Sequence, residues 1–218
     1  MTPAGDGPRV ALLDYDMSNL RSAGKALERL GARVQVCRDP GAARGSDAVL
    51  LPGVGRFGAA MERLDERGFT AMLREVAASG TPVLGICLGM QLLFDQSEES
   101  PGARGLGLIP GHVERLRTSA KVPHIGWSEV HWREGAALAP ASGGPAERTY
   151  YFVHSYSCIP DDPADVIGTS EHGVGFTAAV ARGGACGVQF HPEKSSAAGL
   201  ALLDRWLAGV QSGQMVAS

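Results

Sequence analysis

Short apolar runs alternate with amphipathic stretches through the first half of the chain. Residues 9–14 are mostly apolar, which predicts a buried strand, and residues 18–30 place leucine and alanine at helical spacing, which predicts a helix. Gly31 ends that helix, and residues 33–37 alternate as a second strand does. The further elements predicted in this half are strands at 47–51 and 82–86 and helices at about 57–66, 69–78 and 88–95.

The second half of the chain is richer in turns and short β-rich runs. Predicted strands cover residues 111–116, 149–154, 166–169, 176–181 and 186–190, a closing helix covers 196–207, and the Pro/Gly/Ala-rich stretch 135–145 is predicted to be an exposed loop. Strands alternating with helices predict an α/β fold with a mostly parallel central sheet and helices on both faces. With no internal repeat and no linker, we expect a single domain over residues 1–218, with flexible ends at 1–8 and 211–218.

Composition and charge exclude several classes of function. The chain is 44% hydrophobic and 20% charged, with a formal net charge of −3 and no basic stripe, so we expect no nucleic-acid partner and no membrane surface. The first ten residues lack the apolar core of a signal peptide, and the apolar runs are too short to span a bilayer. We therefore expect a cytoplasmic protein.

The cysteines show neither paired CxxC spacing nor a zinc pattern, so we expect free thiols, no metal and no cofactor. Cys37 and Cys186 fall in strand-like stretches and are expected to fill the core. Cys158 lies in a less regular stretch and is expected to be inert. Cys87 has a different setting.

The segment Gly-Ile-Cys-Leu-Gly at residues 85–89 fits the glycine-x-nucleophile-x-glycine pattern between a predicted strand and a predicted helix. The glycines allow a sharp turn that would otherwise bring side chains into collision. Cys87 would then lie at a helix N-terminus, where the positive end of the helix dipole favours thiolate. The Leu88 N–H would point toward an oxygen that becomes negative during attack on a carbonyl. A buried structural cysteine between packing glycines is the alternative.

A candidate base for this nucleophile occurs late in the chain, in Gln-Phe-His-Pro-Glu-Lys at residues 189–194. A nucleophilic cysteine needs a general base, and the base needs a group that fixes its tautomer. In an extended backbone His191 and Glu193 would point the same way, so the carboxylate would reach the imidazole. This order of nucleophile, histidine and acid differs from that of the α/β-hydrolases, which argues against an esterase or lipase.

GICLGMQ together with HPEK resembles the class I (triad) glutamine amidotransferases, whose three-layer, flavodoxin-like α/β domain carries a nucleophile elbow. The further blocks DYDMSNLRS, PGVGRF, PHIGWSEV, YFVHSY and HPEKS occur in order from residue 14 to the final helix. They are similar to the glutaminase subunits of imidazole glycerol phosphate synthase, from histidine biosynthesis. The resemblance covers nearly the whole chain.

The resemblance implies a role for each matching residue. Cys87 would attack the side-chain amide of glutamine to form a γ-glutamyl thioester, His191 would protonate the leaving amine and later activate water, and Glu193 would orient His191. The oxyanion hole would be formed by Gly53, Val54 and the Leu88 N–H. The glutamine pocket would be lined by Gln91, His154, Ser155 and Tyr156. The face toward a partner subunit would carry Asn19, His124, Trp127, Tyr151 and Lys194.

That partner is implied to be a cyclase subunit with a (β/α)8 barrel, bound as a heterodimer. It would combine ammonia with a phosphoribulosyl aminoimidazole-carboxamide substrate and form imidazole glycerol phosphate and aminoimidazole carboxamide ribotide. Ammonia in water near neutral pH is mostly protonated, so a sealed route between the subunits is needed. Gly53 and Gly55 flank Val54 and tolerate a second peptide orientation, so we hypothesise that partner binding turns the Val54 N–H toward the oxyanion.

Three positions depart from the family pattern: Ser18 replaces a glycine, Ser128 an asparagine and Ile125 a methionine. None belongs to the triad. Alternative functions are a glutaminase subunit for a synthase of anthranilate, aminodeoxychorismate or a purine precursor, a stand-alone cysteine hydrolase acting on γ-glutamyl bonds, and a catalytically silent subunit.

Overall fold

The computed structural model describes residues 7–17, 20–141 and 144–214. In chain order the strands are β1 (Arg9–Leu13), β2 (Arg33–Cys37), β3 (Ala48–Gly53), β4 (Val83–Cys87), β5 (Gln96–Ser97), β6 (Gly111–Arg115), β7 (His124–Glu129), β8 (His131–Trp132), β9 (Thr149–His154), β10 (Tyr156–Pro160), β11 (Val166–Glu171), β12 (Gly175–Arg182) and β13 (Ala185–Val188). The helices are α1 (Leu20–Arg29), α2 (Pro40–Ala43), α3 (Phe57–Glu66), α4 (Phe69–Ala78), α5 (Leu88–Leu92) and α6 (Ser196–Ser212).

An eight-stranded sheet in the order β2-β1-β3-β4-β13-β12-β11-β8 forms the centre of the fold. The strands from β2 to β13 are parallel to their neighbours, and β12, β11 and β8 continue the sheet in antiparallel fashion. All residues of β3 and β4 are buried, as expected for parallel strands covered on both faces. The predicted α/β architecture with a mostly parallel sheet is confirmed.

Two hydrophobic clusters lie on opposite faces of this sheet. Alternate residues of β1 enter different clusters, because successive side chains of a strand point to opposite faces. Val10 packs in the cluster that contains Leu27 of α1 and Trp206 of α6. Leu13 packs in the cluster that contains Phe57 of α3 and Phe69 of α4. Helices therefore cover both faces of the sheet, which gives three layers.

Several predicted boundaries need correction. β3 continues two residues past its predicted end to Gly53, and α6 continues past the predicted Leu207 to Ser212. The helix after Cys87 ends at Leu92 rather than at residue 95. Ser18, the predicted start of the first helix, lies outside the described residues, as do residues 1–6, 142–143 and 215–218.

Four of the described strands were not predicted from the sequence, namely β5, β7, β8 and β10, and two of them, β7 and β10, lie next to the site. β7 lies within the PHIGWSEV block and pairs antiparallel with β9, so that His124 faces His154 and Trp127 faces Tyr151. β10, which we predicted as irregular, pairs with β6 in a separate three-stranded sheet. These strands carry mixed polar and aromatic residues, so their periodicity is weak in the sequence. None of the described helices is long and apolar enough to cross a membrane.

Candidate active site

The carboxyl ends of three neighbouring parallel strands meet at one edge of the central sheet. β3 ends at Gly53, β4 ends at Cys87, and β13 runs beside β4 before the chain reaches His191. Because the carboxyl ends of parallel strands collect at the same edge, residues distant in sequence become neighbours there. The predicted nucleophile and base therefore converge on one place.

Cys87 occupies a sharp turn between β4 and α5. Its backbone has φ 56° and ψ −109°, a conformation that residues with a side chain seldom adopt. A Cβ on Gly85 would lie 2.6 Å from the Gly89 carbonyl, and a Cβ on Gly89 would lie 1.8 Å from the Leu51 oxygen. The strand–turn–helix predicted around the nucleophile is present, and both glycines are required by close backbone contacts.

His191 and Glu193 form a buried pair. His191 Nδ1 lies 2.9 Å from Glu193 Oε1, and the two side chains are 7% and 4% exposed. The predicted contact is present, but the predicted extended backbone is wrong, because Pro192–Lys194 forms a 3-10 turn. This turn, together with the Pro192 ring that starts it, brings the carboxylate to the imidazole. The backbone N–H of His191 donates to the Tyr151 carbonyl at 2.9 Å, which ties the turn to β9.

The electrostatic surroundings of His191 favour its protonated form. Burial alone would lower the pKa of His191, but its hydrogen bonds to Cys87 and Glu193 and the charges of both residues raise that pKa to about 9. Glu193 thus supports an imidazolium, and Cys87 is the other residue that raises the pKa of His191. A thiolate–imidazolium pair is the arrangement that activates a cysteine nucleophile.

Gln189 is a site residue that we did not predict. Its side chain is fully buried, its Nε2 donates to the Cys87 sulfur at 3.8 Å, and its Oε1 accepts from Gln91 Nε2 at 3.0 Å. Gln91 Nε2 also donates to the Tyr156 carbonyl at 3.4 Å, so the donor end of Gln91 is held by two acceptors. The position of Gln189 two residues before the candidate base was the one signal in the sequence that pointed to it.

A cavity of about 310 Å³ opens beside Cys87. Its lining includes all four residues predicted for the glutamine pocket, namely Gln91, His154, Ser155 and Tyr156. The cavity is also lined by Val54, Cys87, Leu88, His191 and Lys194. The volume suits a small polar molecule rather than a macromolecule.

Glu99 is a cavity residue that we did not predict. Glu99 lines the cavity, and its Oε2 accepts from the Phe57 backbone N–H at 2.8 Å, at the start of α3. Asp95, shortly before it in the chain, accepts from the Gly111 N–H at 2.8 Å and fixes a loop. These acidic residues therefore have specific partners, and one of them, Glu99, belongs to the lining of the cavity.

His154 lines the cavity with both ring nitrogens engaged elsewhere. Nδ1 lies 2.9 Å from the Tyr156 carbonyl, which can only accept, so Nδ1 carries the proton and Nε2 accepts from His124 Nδ1 at 3.1 Å. His124 Nε2 then accepts from the Ser128 hydroxyl at 3.0 Å. Burial, with smaller effects from neighbouring histidines, lowers the pKa of His154 to about 3 and that of His124 to about 4. Both rings are therefore neutral near pH 7.

The predicted oxyanion strand lies beside Cys87, but its central N–H points away from the cavity. The Val54 N–H donates to the Met17 carbonyl at 2.8 Å. Gly53 pairs with Cys87 in the ladder between β3 and β4, and Gly55 has φ 100°. A glycine at that φ allows a peptide conformation that other residues adopt only with strain.

The predicted partner face separates into exposed and buried members. Trp127 is 53% exposed and contacts the half-buried Tyr151, and Lys194 is exposed beside the triad. His124 is a correction: its side chain is only 3% exposed, because its ring stacks on those of Phe152 and His172, and it is not available at the surface. Asn19 lies outside the described residues.

The other three cysteines are buried free thiols away from the cavity lining. Burial raises the pKa of Cys37 to about 11 and that of Cys186 to about 12, and it raises the pKa of Cys158 as well. Inert core thiols, as we predicted, fit these surroundings. Among the residues that the structure describes, no group of three or more His, Cys, Asp or Glu side chains is placed to hold a metal ion.

Comparison with known proteins gives matches over most of the chain. Residues 11–208 match the family model for class-I glutamine amidotransferases. The subunit HisH of imidazole glycerol phosphate synthase from Moorella thermoacetica is 50% identical over 89% of this chain and 91% of its own length. The HisH subunit from Synechococcus elongatus is 44% identical over 95% of this chain and 96% of its own length.

Solved structures show the same fold at much lower identity. A glutamine amidotransferase crystal structure superposes with a TM-score of 0.71 at 20% identity, over 93% of this chain and 98% of the other. PurLQS from Thermotoga maritima also gives a TM-score of 0.71, at 18% identity, with the same coverage of 93% and 98%. On sequence and fold together, this chain belongs to the class-I glutamine amidotransferases and, within them, to the HisH subunits of imidazole glycerol phosphate synthase.

Proposed function

We propose that this chain hydrolyses glutamine to glutamate and ammonia with Cys87, His191 and Glu193, and passes the ammonia to a cyclase subunit. The observation that carries the proposal is the buried Cys87–His191–Glu193 arrangement on the wall of a cavity sized for an amino acid. We further propose that residues 1–218 act as one domain and that the protein works in the cytoplasm.

The reaction runs in two halves. The Cys87 sulfur attacks the amide carbon of glutamine, and His191 gives its proton to the nitrogen, so that ammonia leaves and a γ-glutamyl thioester remains. Water then adds to the thioester while His191 takes a proton from it. The carbon–sulfur bond breaks, the thiol is restored and glutamate leaves. Glu193 keeps the imidazole in place through both halves and stabilises its positive charge.

Glu99 suits the recognition of the amino-acid end of glutamine. The substrate carries an α-ammonium group, and the Glu99 carboxylate is the acidic group besides the triad that the described cavity lining contains. Its other contact, with the Phe57 N–H, fixes the carboxylate in one orientation. A fixed carboxylate in a partly enclosed site favours an ammonium group over a neutral end.

The oxyanion strand supplies a means of control. In the isolated chain the Val54 N–H is committed to the Met17 carbonyl, so it cannot also donate to an oxyanion beside Cys87. We propose that partner binding turns this peptide, and that Gly53 and Gly55 permit the turn. Val54 is itself 43% exposed, and the 53% exposed Trp127 on β7 is large, apolar and suited to an interface. Glutaminase activity would then be slow until the partner is bound.

The partner in this proposal is a cyclase with a (β/α)8 barrel, forming a heterodimer. It uses ammonia with a phosphoribulosyl aminoimidazole-carboxamide substrate, which gives imidazole glycerol phosphate and aminoimidazole carboxamide ribotide. Direct transfer between the subunits keeps ammonia unprotonated and nucleophilic. The 50% identity to a subunit of imidazole glycerol phosphate synthase favours this partner over those of anthranilate, aminodeoxychorismate or purine-precursor synthases.

The test is glutamine hydrolysis by the purified chain, with and without the cognate cyclase and its ligand. We expect slow hydrolysis alone, a strong rise with the liganded partner, and loss of activity in Cys87→Ala. Cys37→Ala is the matched control, because it removes a buried thiol distant from the cavity, and it should behave as the wild type. High activity without the partner would favour a stand-alone hydrolase, and indifference to this cyclase would favour a different synthase.

A further inference from the structure

Tyr15 is a fully buried tyrosine whose hydroxyl lies against the oxyanion strand. The hydroxyl donates to the Pro52 carbonyl at 2.7 Å. A Cβ on Gly53 would lie 2.5 Å from the same hydroxyl oxygen, so the side chain packs directly on the backbone that precedes Val54. Nothing in the triad or in the glutamine pocket requires a tyrosine at this place.

The hydroxyl replaces a missing strand partner. β3 pairs with β1 only as far as Leu50, opposite Leu12, whereas on its other edge it pairs with β4 as far as Gly53. Beyond Leu50 the β1 edge of β3 therefore has no ladder from β1. Two groups from the segment after β1 take over: the Tyr15 hydroxyl at the Pro52 carbonyl and the Met17 carbonyl at the Val54 N–H.

These two hydrogen bonds differ in what can break them. Turning the Val54 peptide breaks the bond to Met17, but it leaves the bond from Tyr15 intact, since that bond holds the preceding peptide. Burial, reinforced by the neighbouring Cys87, raises the pKa of Tyr15 above its ordinary value, so the hydroxyl stays a donor throughout the working range of pH. Moving the Pro52 carbonyl away from this donor would leave a buried acceptor without a hydrogen bond, which costs free energy.

We propose that Tyr15 is a positioning residue for glutamine hydrolysis: it clamps the Pro52 carbonyl so that only the Gly53–Val54 peptide turns when the oxyanion hole is completed. This role rests on the proposed function. Without the clamp, the Pro52–Gly53 peptide follows the movement of its neighbour, and the Val54 N–H has no fixed position from which to meet the oxyanion. Preorganised donors stabilise a developing charge far better than mobile ones.

The test compares Tyr15→Phe with Tyr150→Phe in the complex with the liganded cyclase. Tyr150 is a matched control, because it is also fully buried and its hydroxyl also donates to a backbone carbonyl, that of Glu147, away from the cavity. We expect kcat for glutamine to fall about tenfold in Tyr15→Phe, less than on deletion of an oxyanion donor, with KM within about twofold of wild type. Ammonia-dependent synthesis should be unchanged in both variants.

Two further measurements separate positioning from packing. Alkylation of Cys87 by iodoacetamide develops no oxyanion, so its rate should be the same in wild type and Tyr15→Phe. Replacement of Tyr15 by 4-aminophenylalanine, which keeps an N–H donor on the ring, should restore most of the lost kcat. If the phenylalanine variant does not fold, the 4-aminophenylalanine variant is compared directly with the wild type.

The outcomes are distinguishable. A wild-type complex that hydrolyses no glutamine overturns the proposed function and the role of Tyr15 with it. An active wild type in which Tyr15→Phe keeps the kcat of Tyr150→Phe overturns the role of Tyr15 alone. That role is also overturned if alkylation of Cys87 slows in parallel with kcat, because the site is then disturbed more generally. It is overturned as well if the 4-aminophenylalanine variant is as slow as Tyr15→Phe, because a donor at this position then has no effect on kcat.

Discussion

Protonation of His191 should make the stability of the fold depend on pH in a window set by its two pKa values. The pKa of His191 is raised from 6.5 to about 9 in the folded chain. Between those values the folded state holds a proton that the unfolded state has released, so the free energy of unfolding falls as pH rises. The contribution is fully present below pH 6.5 and lost as pH passes through about 9. At about 1.4 kcal/mol per pKa unit, this amounts to about 3 kcal/mol.

The perturbation that isolates this contribution is His191→Gln, which retains a polar side chain but cannot bind the proton. Urea unfolding of wild type and variant, followed by fluorescence in reducing buffer, would be measured from pH 6 to pH 10. We expect the difference in free energy of unfolding to shrink by about 3 kcal/mol across that range. His131→Gln, which alters an exposed histidine on the edge strand β8, controls for the loss of a histidine elsewhere.

Two results bear directly on the physical reasoning. Parallel curves for wild type and His191→Gln would refute the raised pKa, because no difference in proton binding would then exist between folded and unfolded states. In Cys87→Ala the pH range over which the stability changes should be narrower, because the hydrogen bond and charge of Cys87 are two of the causes that raise the pKa of His191. If that pH range is the same in Cys87→Ala as in the wild type, the raised pKa of His191 is due to Glu193 alone.

Three substitutions near the site have distinct expected effects. Gln189→Leu removes the amide that donates to the Cys87 sulfur, so kcat for glutamine should fall about tenfold while ammonia-dependent synthesis is unchanged; an unaltered kcat would contradict the role. Glu99→Gln keeps an acceptor for its backbone partner but removes the charge in the cavity, so steady-state kinetics should give a KM for glutamine at least about tenfold higher, with kcat less affected. Gly89→Ala would place a Cβ 1.8 Å from the Leu51 oxygen, so urea unfolding should show a loss of about 3 kcal/mol or more, and wild-type stability would disprove the close contact.

The chemistry-bearing residues that the sequence revealed share one property: each lies in a short segment whose local pattern is informative. Gly85, Cys87 and Gly89 predict a sharp turn because few residues tolerate such a backbone, and the structure has that turn. His191 and Glu193 are close in sequence and remain close in space through one turn of 3-10 helix. The buried apolar runs predicted the parallel strands for the same reason, since burial on both faces excludes polar residues.

The residues that the sequence did not reveal owe their role to partners that are distant along the chain. Gln189 meets the Cys87 sulfur across a separation of 102 residues, and Glu99 meets the start of α3 across 42. Tyr15 reaches the Pro52 carbonyl across 37 residues. No periodicity or local motif records such contacts, because they arise only when β3, β4 and β13 align their carboxyl ends.

The sequence by itself thus determined the class of fold, the nucleophile and the catalytic pair, since backbone sterics and hydrophobic burial act over a few neighbouring residues. Tertiary structure alone decided which polar groups face the cavity and which form hydrogen bonds with neighbours in the interior. It buried His124 at the start of β7, where its ring nitrogens bond to His154 and Ser128, and it turned the Val54 N–H to the Met17 carbonyl. Those outcomes depend on how sheet edges meet, and a hydrogen-bond donor takes the acceptor that packing places nearest.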